Sequence, residues 1–237
     1  MRKLICTIFL LSVFSQIHAQ AFEGVLQIDY RNEKGSRNAV DVYVKGDSFF
    51  MKRLYGGCDR YDSYIYDARA HALSCLSPQS PKTALSMDIS KVLDIYETKN
   101  LKPGYHIHMP QDYTETGSTK KIEGLRAAQK KASDTAASYE IWTTDIKVNF
   151  GELMPVLRMV GFWGDAEDSS NVILESKTVN LKTKKSTSVA VLPIKKKVDN
   201  SLFVIPQDYQ QVDLDKFLVN EYKSPRYGDL VKAFTGF

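Results

Sequence analysis

The sequence lacks the compact motifs by which several large enzyme classes are recognised. It contains no H-E-x-x-H zinc pair, no G-x-S-x-G nucleophile turn, no G-x-G-x-x-G or Walker lysine loop for phosphates, and no EF-hand run. These motifs therefore assign the chain to no enzyme class. We expect a non-enzymatic protein that needs no cofactor.

Long apolar runs are also missing, with one exception at the start of the chain. Residues 4–14 are mostly apolar, follow Arg2 and Lys3, and precede a polar segment that ends in small residues around Ala19. This order is typical of a signal peptide, and the run has about half of the roughly 20 residues that a membrane span needs. We expect cleavage of residues 1–19, export to the periplasm, and no transmembrane span in the mature chain. Secretion and outer-membrane association are the alternative locations.

Cysteine is scarce, with three residues in 237. Cleavage removes Cys6 and leaves Cys58 and Cys75, an even pair that can form a disulfide in an oxidising compartment. Two unpaired thiols are the alternative. A strong excess of positive charge is absent as well, because loss of Arg2 and Lys3 lowers the formal net charge from +4 to +2. Nothing in this balance predicts nucleic-acid binding.

The mature chain is rich in alternation of apolar and polar residues. Leu26 and Ile28 alternate with polar neighbours, and so do Val40, Val42 and Val44. Period two with one polar face predicts antiparallel strands of a sheet that is buried on one side. The predicted strands cover residues 22–31, 40–45, 48–54, 61–66, 71–77, 118–132, 139–144, 171–181, 186–195 and 201–205. We expect a mainly β (α+β) protein whose residues 22–220 form a single domain.

Three segments favour helix instead. Residues 88–99 have apolar side chains at three-to-four spacing behind Asp88, which would cap the helix. Residues 150–162 are mainly apolar, and a short helix is predicted at 214–220. Residues 221–237 show no clear period and are expected to form a C-terminal tail.

The apolar segment 150–162 is the candidate ligand cover. A helix that is apolar on nearly every side is buried or covers something apolar. If it covers a hollow, its side chains and the tryptophan that follows would contact the ligand. The candidate ligand-binding residues are Leu153, Leu157, Val160, Phe162 and Trp163. An ordinary buried core helix is the alternative.

Two other features suggest sites. His106 and His108 would project from one face of a strand and are weak candidates for a metal site if further ligands joined them; solvated or sheet-packed histidines are the alternative. Lysines cluster at 120–121, 130–131, 182–185 and 195–197. They could form a basic face for anionic lipid or an acidic partner, or could protect sheet edges from pairing with other chains.

Five blocks of sequence resemble a known family. They are FEG at 22–24, VDVYVKGD at 40–47, TGSTKKIEG at 116–124, YEIWTTD at 139–145 and LFVIPQDY at 202–209. They are similar to the recurrent blocks of exported bacterial proteins that carry domain of unknown function 4412, which are related in architecture to the LolA/LolB-like periplasmic lipoprotein carriers. The blocks are structural, and the arginine that governs opening of the lipoprotein carriers has no identified counterpart here.

The resemblance implies a fold and a class of function. The fold would be an open antiparallel half-barrel, LolA-like, with two or three short helices covering its concave face. The protein would hold lipid, a lipidated partner or another apolar ligand in the curved sheet. An envelope structural or assembly protein that engages a protein partner is the alternative, and an exported hydrolase or metal-dependent enzyme is a third. The ligand, the partner and the oligomeric state stay open.

Overall fold

The computed structural model describes residues 22–55, 61–90, 113–150 and 171–213. These residues form one mainly β sheet of twelve strands. The strands are β1 Gly24–Arg31, β2 Arg37–Lys45, β3 Ser48–Tyr55, β4 Ser63–Asp67, β5 Ala72–Ser77, β6 Thr83–Asp88, β7 Thr114–Ile122, β8 Leu125–Ser133, β9 Ala137–Lys147, β10 Asn171–Asn180, β11 Ser186–Lys195 and β12 Gln210–Asp213.

The sheet joins two antiparallel meanders. Strands β1 to β6 pair in sequence order, and so do β7 to β11, while β1 pairs with β11 to connect the two series. Strand β12 pairs with β6 and is the parallel exception among the described strands. The order is β12-β6-β5-β4-β3-β2-β1-β11-β10-β9-β8-β7, which leaves an open sheet.

One side of the sheet, here called the apolar face, forms the main core. Its positions are opposite one another across the strands, as the pairs Ile28 with Val191, Val42 with Met51, and Tyr64 with Cys75 show. Every member is buried. The face comprises Leu26, Ile28, Tyr30, Val40, Val42, Val44, Phe49, Met51, Tyr64, Tyr66, Leu73, Cys75, Leu85, Met87, Ile141, Val189 and Val191. The period-two pattern therefore predicted its burial correctly.

The opposite side carries charged and polar residues over the centre of the sheet. We call this the polar face, and its members share strand positions with one another across β1, β2 and β8 to β11. It comprises Gln27, Asp29, Arg31, Arg37, Asp41, Gln129, Lys131, Glu140, Trp142, Glu175 and Lys177.

The sheet bends over this polar face at one end. Three strand spacings separate β7 from β10, about 14 Å in a flat sheet, yet Lys120 of β7 forms an ion pair with Glu175 of β10. Ile122 and Glu123, at the tip of the β7–β8 hairpin, line the same cleft as Gln27 of β1. The hairpin therefore curls towards the polar face and encloses part of it.

A strap formed by residues 196–213 crosses the same side of the sheet from β11 to β6. It is held at its start because the backbone N–H of Val198 donates to Oε1 of Glu23 at 2.9 Å. Further along, Ile205 and Tyr209 pack on a small buried cluster of Ile65, Leu76 and Ala84. The strap thus covers the β4–β6 part of this side and leaves the polar face beside it open.

Several local predictions differ from the structure. Residues 118–132, predicted as one strand, belong to a hairpin, because Glu123 and Gly124 adopt positive φ (47° and 81°) and form a two-residue turn. The predicted strand at 201–205 is instead a 3-10 helix at Asn200–Phe203, since the side chain of Asp199 caps it by accepting a hydrogen bond from the Ser201 N–H. Strands β6 and β12 were not predicted.

Helix is almost absent from the described residues. The segment predicted as helix at 88–99 starts a helical turn at 89–90, where Oδ1 of Asp88 accepts from the Ser90 N–H at 2.9 Å as a cap does. The remainder of that segment lies outside the described ranges. The same holds for most of 150–162, the predicted helix at 214–220, the predicted tail 221–237 and the predicted signal peptide. Over the ranges described, no helix has the length and apolarity to cross a bilayer.

Candidate functional site

Most of the sequence-predicted site residues lie outside the described ranges. This holds for the candidate ligand-binding residues Leu153, Leu157, Val160, Phe162 and Trp163, for the histidines His106 and His108, and for Cys58. Cys75 is described and is fully buried in β5 on the apolar face. The disulfide, the metal site and the cover therefore remain predictions.

The structure does describe where the chain leaves the sheet for the predicted cover. Phe150, the first residue of that segment, stacks on Phe49 of β3 with ring centroids 5.4 Å apart and an interplanar angle of 25°. Both side chains are buried, at 2% and 1% exposure. Val148, two residues before this segment, and Val172, at the start of β10, belong to the same core cluster. The described residues on both sides of 151–170 therefore contact the apolar core.

A second segment is flanked in the same way. Ile89, which follows β6, is buried in the main core, and Tyr113, which precedes β7, packs against it. The Ile89 N–H donates to the carbonyl of His71 at 2.9 Å, so the end of β6 is anchored to the β4–β5 turn. Residues 91–112 therefore also connect two points that contact the apolar core.

The polar face holds two adjoining clefts of about 330 and 340 Å³. Asp29, Glu175 and Ala190 line both clefts, so the two form one groove across β1, β11 and β10. Trp142 lines one end, and Ile122 lines the other. We call this the polar groove.

Ion pairs and hydrogen bonds fix the side chains of the polar groove. Nε of Arg37 donates to Oδ2 of Asp29 at 2.6 Å. Lys120 pairs with Glu175, and its Nζ lies 4.2 Å from the centroid of the Trp142 ring. Small residues make room for this arrangement, since Ala127, fully buried, lies opposite Lys120 on β8. The lysine stem can therefore cross β8 and reach the next two strands.

Glu140 is held as a carboxylate at the Trp142 end. Trp142 Nε1 donates to Oε1 of Glu140 at 2.8 Å, and Lys131 Nζ lies 3.5 Å from Oε2. Burial acts to raise the pKa of Glu140, but hydrogen bonds from Trp142 and Gln129 and the charge of Lys131 outweigh it. The pKa of Glu140 is therefore below its ordinary value.

One carboxylate oxygen of the groove has no hydrogen-bond donor among the described residues. Oδ1 of Asp29 is shielded from solvent and accepts no hydrogen bond from the described part of the chain, although Oδ2 of the same side chain is paired with Arg37. A shielded carboxylate oxygen without a donor is costly. No set of three metal-ligating side chains occurs among the residues described.

Sequence reasoning missed the polar groove. Its residues occupy the polar positions of the alternating pattern, which marks them as exposed but does not say which strands bring them together. Asp29 and Ala190 are neighbours only because β1 pairs with β11, and Glu175 meets Trp142 only through the β9–β10 register. The Trp142 side chain among charged neighbours was the available signal.

Comparisons with known proteins give distant likenesses only. No protein-family model matches the chain, and no curated protein does. Two crystal forms of PNGF-II are similar, at 15% identity with a TM-score of 0.42 and at 16% with 0.39, covering 90% and 89% of this chain. The chain spans about a third of PNGF-II, 34% and 33% in the two forms. An uncharacterized conserved protein from Thermus thermophilus is similar at 11% identity and a TM-score of 0.43, over 81% of this chain and 91% of that one.

These likenesses assign no family. The large, mainly β open sheet is what the structure shows, and the resemblance to the domain of unknown function 4412 and to LolA/LolB-like carriers stays a prediction.

Proposed function

We propose that this is an exported, non-enzymatic binding protein that holds lipid, a lipidated partner or another apolar ligand against the apolar face, with residues 150–162 as the cover. The stacking of Phe150 on Phe49 carries the proposal. This contact brings Phe150, the first residue of the most apolar segment of the mature chain, against the apolar face.

The composition of the apolar face supports this proposal. Aromatic rings from adjacent strands lie together on it, since Phe49 and Tyr66 have centroids 6.1 Å apart and Tyr64 lies beside Met51. Wide aromatic and thioether side chains adapt to apolar ligands of irregular shape. The described residues that flank 91–112 and 151–170 pack in or against the apolar core, which agrees with a cover drawn from either segment.

The proposed shape is a LolA-like half-barrel, and the bend of the sheet limits where its hollow can be. Because the β7–β8 hairpin curls towards the polar face, the apolar hollow is proposed to lie over β1 to β6 and β11. Export and a periplasmic location belong to the same proposal and depend on the signal-peptide pattern of residues 1–19.

Alanine variants of the cover test the proposal. Leu153→Ala, Leu157→Ala and Val160→Ala are made separately, and urea midpoints and uptake of a fluorescent fatty-acid probe are measured for each. We expect small changes in stability with altered uptake, because a cover contacts the ligand more than the core. Leu181→Ala, on the exposed β10–β11 turn, is the matched control and should change neither.

A buried core helix behaves differently. Deletion of a packed Leu side chain costs about 2 to 5 kcal/mol. Losses of that size, together with no probe uptake by the wild type, would reject the cover.

An envelope assembly protein that engages a protein partner is the second candidate. One observation favours it: the apolar face is almost completely buried by the chain itself, as expected of a packed interior. Rejection of the cover would make this the leading function.

A further inference from the structure

The polar groove has the properties of a ligand site on the opposite side of the sheet. We propose that it binds a neutral, hydroxyl-rich saccharide. This site is separate from the apolar face and does not depend on the function proposed above.

The groove has suitable size and a smooth floor. Its two clefts, about 330 and 340 Å³, are each at the lower end of the range typical of small-molecule sites, about 300 to 1,000 Å³. Small side chains from β2 and β11, the two strands that flank β1, lie along it, namely Ala39, Ser188 and Ala190. Ala39 and Ala190 lie on either side of Asp29, and their small side chains leave room for a sugar ring beside its carboxylate.

The charges of the groove balance, which favours a neutral ligand. The number of its acidic side chains equals the number of basic side chains that either line the groove or form ion pairs with residues that line it. The acidic residues are Asp29, Asp41, Glu123, Glu140 and Glu175, and the basic residues are Arg31, Arg37, Lys120, Lys131 and Lys177. A charged ligand would give the occupied groove a net charge. A neutral polyol instead forms charge-assisted hydrogen bonds with both the acidic and the basic side chains.

Two groups match the two sides of a sugar. Oδ1 of Asp29 has no donor from the described chain. The last torsion of an aspartate is soft, so in the proposed complex this oxygen turns towards the cleft and Arg37 follows Oδ2. A sugar hydroxyl would then donate to it. At the other end, Trp142 lines the cleft, and the part of its indole that Lys120 leaves uncovered is offered to the apolar C–H groups of a ring. Its N–H is already bonded to Glu140.

Fluorescence of Trp142 provides the test. The chain has two tryptophans, so the Trp163→Phe variant makes Trp142 the sole reporter. Maltotriose, cellotriose and triacetylchitotriose serve as neutral probes, and trigalacturonic acid serves as the charged probe. We expect a saturable fluorescence change at millimolar or lower concentration for at least one neutral probe and none for the charged one.

Substitutions then assign the binding to the groove. Asp29→Asn and Glu175→Gln, each made in the Trp163→Phe chain, should weaken binding of that probe tenfold or more. Asp208→Asn is the matched control, because Asp208 is an ion-paired carboxylate on the strap, 2.6 Å from Lys82 and outside the groove; it should leave binding unchanged. Circular dichroism and urea midpoints show that each variant is folded.

Three results would overturn the proposal. The first is no fluorescence response to any neutral probe. The second is binding by folded Asp29→Asn and Glu175→Gln variants that is as tight as binding by the Trp163→Phe chain. The third is tighter binding of trigalacturonic acid than of the neutral probes. Uptake of the fatty-acid probe should be unaffected by Asp29→Asn, which separates this site from the apolar one.

Discussion

The two faces of one sheet differ in how they are held together. On the apolar face the side chains interlock and are almost fully buried, whereas on the polar face partly exposed charges are paired across strands. Phe49 and Phe50 are adjacent in β3, yet Phe49 lies in the main core and Phe50 lies on the other side beside Tyr43. Burial dominates stability and paired surface charges add little. The apolar face should therefore carry the fold, and the polar face should be free to carry recognition.

Truncation of the two neighbouring phenylalanines gives the largest expected difference. Phe49→Ala should lower the free energy of unfolding by about 3 to 5 kcal/mol, because it removes a buried ring and leaves a cavity under Phe150. Phe50→Ala, its matched control on a half-buried position, should cost less than half as much. Urea unfolding followed by circular dichroism measures both. Equal losses would show that the two faces contribute alike.

Removal of one charge from the polar face should have a much smaller effect. Lys120→Met keeps the stem over Ala127 but removes the ion pair to Glu175 and the contact with Trp142. Because the lysine and glutamate side chains are 37% and 42% exposed, we expect a loss below about 1 kcal/mol that shrinks at high salt. Lys121→Met, at the exposed neighbouring position, is the control. A salt-independent loss of several kcal/mol would mean that the polar face holds the fold.

The smallest expected effect is on acid stability. Because the folded pKa of Glu140 lies below its ordinary value of 4.5, the ionised side chain stabilises the fold above that pH. This contribution is lost as the pH falls through the folded pKa. Glu140→Gln should therefore destabilise slightly at pH 7, by less than about 1 kcal/mol for so exposed a group, and flatten the loss of stability on acidification below pH 4.5.

Urea midpoints at neutral and acidic pH measure this effect. Glu33→Gln, in the exposed β1–β2 turn, is the control. A Glu140→Gln variant that is more stable than the wild type at neutral pH would contradict the expected direction of this effect.

Local patterns predicted the strands and faces well because alternation is a property of neighbouring residues. Val40, Val42 and Val44 were correctly assigned to one buried face in this way. The effect of a helix cap was harder to predict from the sequence. The apolar run after Asp199 has the composition of a strand, but the Asp199 side chain stabilises a 3-10 turn instead. In that segment one local hydrogen bond outweighed β propensity.

Pairing between distant strands could not be predicted. Ile28 and Val191 face each other across β1 and β11 although strands β2 to β10 separate them in sequence. A register of this kind is selected by the packing of the complete core, and no short pattern encodes it. The polar groove depends on that pairing, so its residues were predicted as exposed but not as a site.

Native mass spectrometry of the protein, purified from a bacterial envelope and then extracted with organic solvent, would show whether the apolar face holds an apolar ligand. If the apolar face holds an apolar ligand, the folded chain should carry added mass, and the extract should contain a lipid or lipid-like molecule in comparable molar amount. A folded chain at its bare mass, with no lipid in the extract and no uptake of the fatty-acid probe, would contradict the account and favour a packed assembly protein.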